Sequence, residues 1–254
     1  MQLVAKELLG QLSSELLQKR QKLATTPGLA LVWVGDDPQT AAFIRAKQAM
    51  AKKLDCQFFL HHFPTSSYRQ LEAVINGLNS RSDIHGIVLQ LPLPKSVDTE
   101  ALIKKIAPEK DIDNLRGDSP YPSPTPKGIE TLLQYHNIVI RDLKTVILGA
   151  GKLVGGPLAE MFRNNNWPVT VIEREAQKRV EEIRSNDLLI AATGVAGIVT
   201  PNMVHQGMIV VDGSGIDADV DLIEPLVKTI TPKKGAIGPL TVHFLFDNLL
   251  TATC

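Results

Sequence analysis

The sequence predicts an α/β fold of two domains, each built on a mostly parallel sheet, and three observations carry that expectation. Short apolar runs alternate with amphipathic segments along most of the chain, the pattern expected when helices cover both faces of a parallel sheet. The alternation breaks once, over DNLRGDSPYPSPTPKG, Asp113 to Gly128, where proline, glycine and serine crowd together as in a crossing between domains. The last apolar segment, GPLTVHFLFDNLL, reads as a helix after a glycine-rich stretch and is expected to pack back on the first half. The division expected is therefore residues 1–122 with 238–254 in one domain, and 123–237 in the other.

Each element follows in order. The opening MQLVAKELLGQLSSELLQKRQKL places apolar residues at helical spacing with charges throughout, an amphipathic helix and not a secretory leader. LALVWVG (29–35), CQFFLHHF (56–63) and GIVLQ (86–90) read as strands, separated by helical patterns at 38–54, 67–80 and 97–106. Beyond the crossing, strands are expected at 144–149, 168–173, 187–194 and 208–213. The third strand runs into Leu-Pro-Leu-Pro, and proline has no backbone donor for a central ladder. The strand therefore stops at Gln90, whose amide sits at a strand end, where open α/β sheets bind ligands.

With 254 residues, 44% of them hydrophobic, the chain can bury one large core or two moderate ones. Its 27 basic and 27 acidic residues cancel, and no basic stripe interleaves with aromatics, which argues against nucleic acid as a partner. Cys56 and Cys254 form neither a disulfide framework nor a zinc spacing. No apolar run approaches the roughly 20 residues needed to cross a bilayer. A soluble, cytoplasmic protein without a membrane partner is expected. None of the six histidines has ligand spacing, so no metal is expected. Ser66, Ser67 and Ser214 lack a recognisable elbow motif, against a nucleophilic hydrolase.

Two stretches carry chemistry. VILGAGKLVGGPLAEMF joins a strand to a helix through Gly149, Ala150, Gly151 and Gly155, a G-x-G-x-x-x-G spacing. Such glycines let the backbone turn and approach a pyrophosphate held at the helix N-terminus, although a tight strand–helix turn wants glycine anyway. The next strand ends at Glu173, where an acid can bind ribose hydroxyls, which favours a dinucleotide site. In GDDPQTAAFIRAKQAMAKKL, Asp37 suits an N-cap and Pro38 the first helical position. Phe43, Lys47, Met50 and Leu54 then share one face, expected to turn inward. A lysine in that stripe either snorkels to the surface or is a desolvated amine suited to acid–base work, and the helix alone leaves both open. Lys47, Gln90 and Asp113 are expected to edge one cleft.

VGDDP with Lys47, GIVLQLPLP, PEKDID, PTPKG, the loop from Gly149 to Pro157 and TPKKGAIGPLT together resemble the bifunctional methylenetetrahydrofolate dehydrogenase/cyclohydrolase family over nearly the whole chain. The resemblance implies an N-terminal folate domain, a Rossmann-like cofactor domain and a homodimer. It implies oxidation of 5,10-methylenetetrahydrofolate by a nicotinamide cofactor, then hydrolysis of the methenyl product to 10-formyltetrahydrofolate. Lys47 would be the catalytic lysine, Gln90 its hydrogen-bonding neighbour and Asp113 the pterin holder, its carboxylate accepting two parallel N–H bonds. Substrate contacts are implied at Phe43, Leu89, Leu91, Gly235, Ala236, Ile237, Gly238 and Pro239. Cofactor contacts are implied at Thr125, Gly149, Ala150, Gly151, Lys152, Val154, Gly155, Glu173, Arg174, Thr193, Gly194 and Ile216. Glu173 alone favours NAD; Lys152 and Arg174 can pair with a 2′-phosphate, and bacterial members mostly use NADP, so NADP is expected and NAD is the alternative.

The chain departs from the family in four places. Phe43 replaces a tyrosine one helical turn before the lysine. Gly149-Ala150-Gly151 lacks the usual arginine of the cofactor loop. The segment from Asp113 to Pro124 is shorter, and Lys234-Gly235-Ala236 replaces a Pro-Gly-Gly run. These changes leave a monofunctional dehydrogenase or a non-catalytic folate- or nucleotide-binding protein as competing readings. Retention of Lys47, Gln90 and Asp113 together speaks against a mere binder.

Overall fold

Parallel pairing organises both halves of the chain. The computed structural model describes residues 2–254. In order, the elements are α1 (Lys6–Gln21), β1 (Gly28–Val34), α2 (Pro38–Lys53), β2 (Gln57–Phe63), α3 (Tyr68–Asn79), β3 (Gly86–Leu89), α4 (Thr99–Ile103) and α5 (Pro124–Tyr135). There follow β4 (Thr145–Leu148), α6 (Gly155–Asn164), β5 (Val169–Ile172), α7 (Val180–Arg184), β6 (Leu188–Ala191), β7 (Ile209–Asp212), α8 (Val220–Ile223), β8 (Thr229–Ile230) and α9 (Ile237–Ala252). Every strand expected from the sequence is present with ends within one residue of the expectation, except that β6 stops at Ala191, three residues short. Strand β8 is additional.

The first sheet has the order β2-β1-β3, all parallel. Central β1 is buried at every position because helices cover both faces. Leu29, Leu31 and Trp33 pack with Leu16 of α1, Ile44 and Ala51 of α2, and Leu245, Phe246 and Leu249 of α9. Alternate residues Ala30, Val32 and Val34 pack with Leu71, Ile75 and Leu78 of α3 and with Leu102 and Ile103 of α4. The period of two along a strand makes this two-sided core possible. Helix α2 starts where expected, with the Asp37 carboxylate accepting the Thr40 N–H at 2.7 Å and Pro38 in the first turn.

The second sheet has the order β5-β4-β6-β7-β8, again parallel. Chain order reverses between β4 and β6, so the carboxyl ends of these strands flank the topological switch point.

The chain divides differently from the expectation. One unit is Leu12–Pro124 with Val242–Cys254; the other is Thr125–Thr241 with the N-terminal stretch to Gln11. Residues up to Gln11, expected with the first sheet, belong with the second because Gln2 bridges Ile230 of β8 in parallel and Leu3 N donates to Ile230 O at 2.8 Å. Leu3 is fully buried there. Residues 238–241, expected in the folate domain, also fall in the second unit. The proline-rich crossing ends earlier than expected, since PTPKG is the first turn of α5. The first turn of a helix tolerates proline because those N–H groups have no intrahelical acceptor.

Candidate active site

The face of α2 that turns inward is Thr40, Ile44, Lys47 and Ala51. The expected stripe is out of phase by about one residue: Phe43 is 47% exposed and Met50 only partly buried, while Lys47 and Leu54 lie inside. Lys47 does not snorkel. It is 7% exposed, and its Nζ donates to Oε1 of Gln90 at 2.9 Å. Burial pulls its ammonium below the ordinary lysine range, and attraction to Asp113 partly opposes this.

Gln90 is held from both sides. Its backbone N–H donates to Val32 O at 2.9 Å, extending the β1–β3 ladder by one bond. Its Nε2 donates at 3.1 Å to Leu91 O, the carbonyl of the cis Leu91–Pro92 peptide. With one amide end spent on Leu91, the carbonyl end faces the lysine, the only orientation that pairs a donor with an acceptor.

The two aspartates of KDID divide the work. Asp111 is fully buried and builds the loop: its carboxylate accepts Leu115 N at 3.1 Å and Arg116 N at 2.8 Å, while its carbonyl accepts Ser119 Oγ at 2.7 Å. Burial pushes its carboxyl up to about 6. Asp113, two residues on, accepts no hydrogen bond from the described residues. Its carboxyl is raised by burial and lowered by the nearby Lys47 ammonium. Asn248 of α9 fastens the loop, donating to both Ile112 O and Pro122 O at 2.8 Å. Sequence reasoning missed Asp111 and Asn248; the doubled aspartate was the available signal.

The structure thus brings Lys47, Gln90 and Asp113 together. Leu91 is half-buried beside them in sequence, but the Leu89 side chain is core, 1% exposed, so only its backbone can meet a ligand. Gly235, Ala236, Ile237, Gly238 and Pro239 belong to the other unit. There Gly235 adopts φ +85°, Ala236 and Ile237 are buried, and Gly238 and Pro239 lie in the first turn of α9.

The second unit carries the expected cofactor residues. Gly149 follows β4 with φ +87°, and its N–H donates to Ile172 O at 2.8 Å. A Cβ at Gly155 would lie 2.0 Å from Gly149 O, so no side chain fits the start of α6. The loop glycines are therefore required by close packing as well as by any phosphate approach. Ala150 and Gly151 are exposed, Lys152 is half-buried, and Val154 immediately precedes α6. Glu173 and Arg174 are exposed at the end of β5, and neither forms an ion pair among the described residues. Thr193 and Gly194 follow β6, and Ile216 projects from the loop after β7, 40% exposed. Thr125, by contrast, is buried with its hydroxyl 3.0 Å from that of Thr241.

Among the described residues no three His, Cys, Asp or Glu side chains cluster as a metal site. Nor is any helix among them long and apolar enough to cross a membrane.

Comparison with known proteins agrees with both halves of this arrangement. Residues 2–113 match the model of the tetrahydrofolate dehydrogenase/cyclohydrolase catalytic domain, and residues 123–254 match that of the NAD(P)-binding domain of the same family. The chain is 33% identical over 263 residues to the bifunctional protein FolD of Bacillus licheniformis, covering 96% of this chain and 92% of that relative. A crystal structure of the bifunctional FolD from Campylobacter jejuni superposes with a TM-score of 0.88 at 28% identity, covering 100% of this chain and 98% of that one. The Trypanosoma brucei FolD, solved with NADP and an inhibitor, superposes with a TM-score of 0.89 at 25% identity, covering 100% and 97%. A buried lysine on a strand-end glutamine, an unengaged aspartate and a glycine loop at the switch point thus lie within matches that span both halves: the chain belongs to the tetrahydrofolate dehydrogenase/cyclohydrolase family.

Proposed function

We propose that this chain oxidises 5,10-methylenetetrahydrofolate to the 5,10-methenyl form with NADP and hydrolyses that product to 10-formyltetrahydrofolate. The observation that carries the reading is the Lys47–Gln90 bond inside the first unit, with the Asp113 carboxylate left unengaged nearby. Asp113 accepts the paired N–H groups of the pterin, Phe43 offers a ring for stacking, and Leu91 supplies apolar wall. Oxidation moves a hydride from the methylene carbon to the nicotinamide, which calls chiefly for positioning. In hydrolysis, water adds to the methenyl carbon, the bond to N5 breaks, the formyl group stays on N10 and a proton leaves. Lys47, desolvated and oriented by Gln90, is the group placed to manage that proton.

The test is purified protein with methylenetetrahydrofolate and each nicotinamide, following reduced cofactor and methenyl absorbance separately. Both activities are expected; reduction of neither nicotinamide, or a methenyl product that hydrolyses at the uncatalysed rate, defeats the reading. The assembly expected is a homodimer, read by sedimentation.

NADP preference is assigned to Arg174. Its guanidinium is exposed at the end of β5, while the neighbouring Lys178 is already paired with Glu175 at 2.6 Å. A charge-assisted bond to a 2′-phosphate contributes about 1.5–3 kcal/mol, so Arg174→Ala should raise the KM for NADP roughly tenfold or more. The KM for NAD, which has no 2′-phosphate, should hardly move. Equal changes for both cofactors, or better wild-type turnover with NAD, reverse the assignment.

A further inference from the structure

The loops after β6 and β7 are locked to one another by buried carboxylates. Gly197 N donates to Ile216 O and Val199 N to Asp217 O, each at 3.0 Å, and Val199 and Ala218 form a parallel bridge. Between the loops Asp217 is fully buried. Its Oδ2 accepts both the backbone N–H of Thr193 at 2.6 Å and the Thr193 hydroxyl at 3.0 Å, and its Oδ1 accepts the Ser214 hydroxyl at 2.6 Å. The network continues outward: Thr193 Oγ1 accepts Val195 N, and Ser214 Oγ accepts the N–H groups of Ile216 and Asp217. Asp212, also buried, fastens the second loop through Ser214 N, Gly215 N and Ala218 N.

No cationic side chain pairs with Asp217 among the described residues; its donors are all neutral. Burying a carboxylate that way is costly unless its hydrogen bonds are complete, and completing them freezes the segments that supply them. What is frozen here is a pair of exposed apolar side chains, Val195 at 53% and Ile216 at 40%, standing on loops at the carboxyl ends of adjacent strands. The loop after β6 also touches the glycine turn after β4: Gly149 is so close to Ala192 O that an added Cβ would lie 2.8 Å from it. Asp217 therefore governs the geometry of the loops that border the switch point.

We propose that Asp217 is a positioning residue for the nicotinamide half of the cofactor, clamping Thr193 to the 213–218 loop so that a preformed wall with Ile216 meets the ring. The proposal rests on the dehydrogenase reading above. A ring that docks on a prearranged surface avoids the ordering cost of two loops, so loss of the clamp weakens cofactor binding and alignment together.

The experiment measures NADP binding by calorimetry and both activities in Asp217→Ala, Asp217→Asn and Thr193→Val. Asp217→Ala leaves buried donors unpaired and should raise the Kd and KM for NADP about tenfold or more, with a lower kcat for hydride transfer. Hydrolysis of methenyltetrahydrofolate consumes no nicotinamide and should stay within about twofold, which a general loss of folding would not spare. Asp217→Asn keeps an acceptor for both Thr193 groups and should recover most of the NADP affinity. Thr193→Val preserves shape but deletes the hydroxyl's bonds to Asp217 and from Val195 N, and should raise the Kd several-fold; it decides the matter if Asp217→Ala does not fold. Unchanged NADP affinity in both Asp217→Ala and Thr193→Val overturns the proposal, as does an equal loss of hydrolysis. A wild type that binds NADP but oxidises no folate defeats only the functional reading, because the affinity shifts can still be read.

Discussion

Lys47→Met is expected to reduce methenyltetrahydrofolate hydrolysis at least about a hundredfold while the protein stays folded, since acid–base groups typically contribute about 10²–10⁴-fold. Methionine follows the path of the lysine stem through the α2 face shared with Ile44 and Ala51, and it fills the buried volume without a charge. The partner left behind, Gln90 Oε1, belongs to a half-buried side chain that water can reach, so the lost bond need not unfold the site. Stability should change with a defined sign. Burial holds Lys47 below the ordinary lysine range, so the folded state favours the neutral amine. The charged form costs stability at low pH and progressively less as pH rises toward that range. Any gain in Tm of the methionine variant over wild type should therefore narrow with rising pH. Hydrolysis at the wild-type rate in a folded Lys47→Met protein removes the lysine from the mechanism.

Phe43→Tyr is expected to raise hydrolysis about tenfold or more over its effect on hydride transfer, within the same acid–base range. Phe43 lies one helical turn before Lys47 and is 47% exposed, so a para hydroxyl enters solvent-accessible space without disturbing the core. On the proposed reading the phenyl ring supplies the stacking surface that hydride transfer asks of it. The hydroxyl adds a proton carrier and a partner for the lysine amine, which only ring opening uses. A wild type with oxidation but little hydrolysis, restored by this change, would make the chain a dehydrogenase whose second step has decayed. If both steps rise alike, or neither does, Phe43 does not separate them.

Periodicity revealed the strands and put Lys47 on the inward stripe of α2, but it left open whether the amine snorkels and misjudged which neighbours share its face. Phe43 and Ile44 are adjacent apolar residues, and a stripe drawn through either includes the lysine; only packing against Leu29, Leu31 and Trp33 chooses Ile44. Gln90 and Asp113 were legible because proline must end a strand and because the KDID motif is specific. Leu89 misled because a strand residue beside a site reads the same whether its side chain points to ligand or to core. The two-residue β8 left no periodic trace, and without it nothing in MQLV suggested pairing with Ile230. Asp217 was missed because a polar residue in a glycine-rich turn reads as solvated; only its contacts reveal the clamp.

The division of α9 between the units has a consequence for synthesis on the ribosome. The core beneath β1 includes Val242, Leu245, Phe246, Leu249 and Leu250, made long after the β2-β1-β3 sheet itself. At about 5–20 residues per second, the nascent β2-β1-β3 sheet waits on the order of ten seconds with Leu29, Leu31 and Val88 covered on that face only by α1 and α2. The sheet can form early but cannot complete its core until α9 leaves the exit tunnel. Premature termination between Pro124 and Val242 would therefore release a chain whose first sheet still exposes part of one apolar face, a ready substrate for holdase chaperones and proteases.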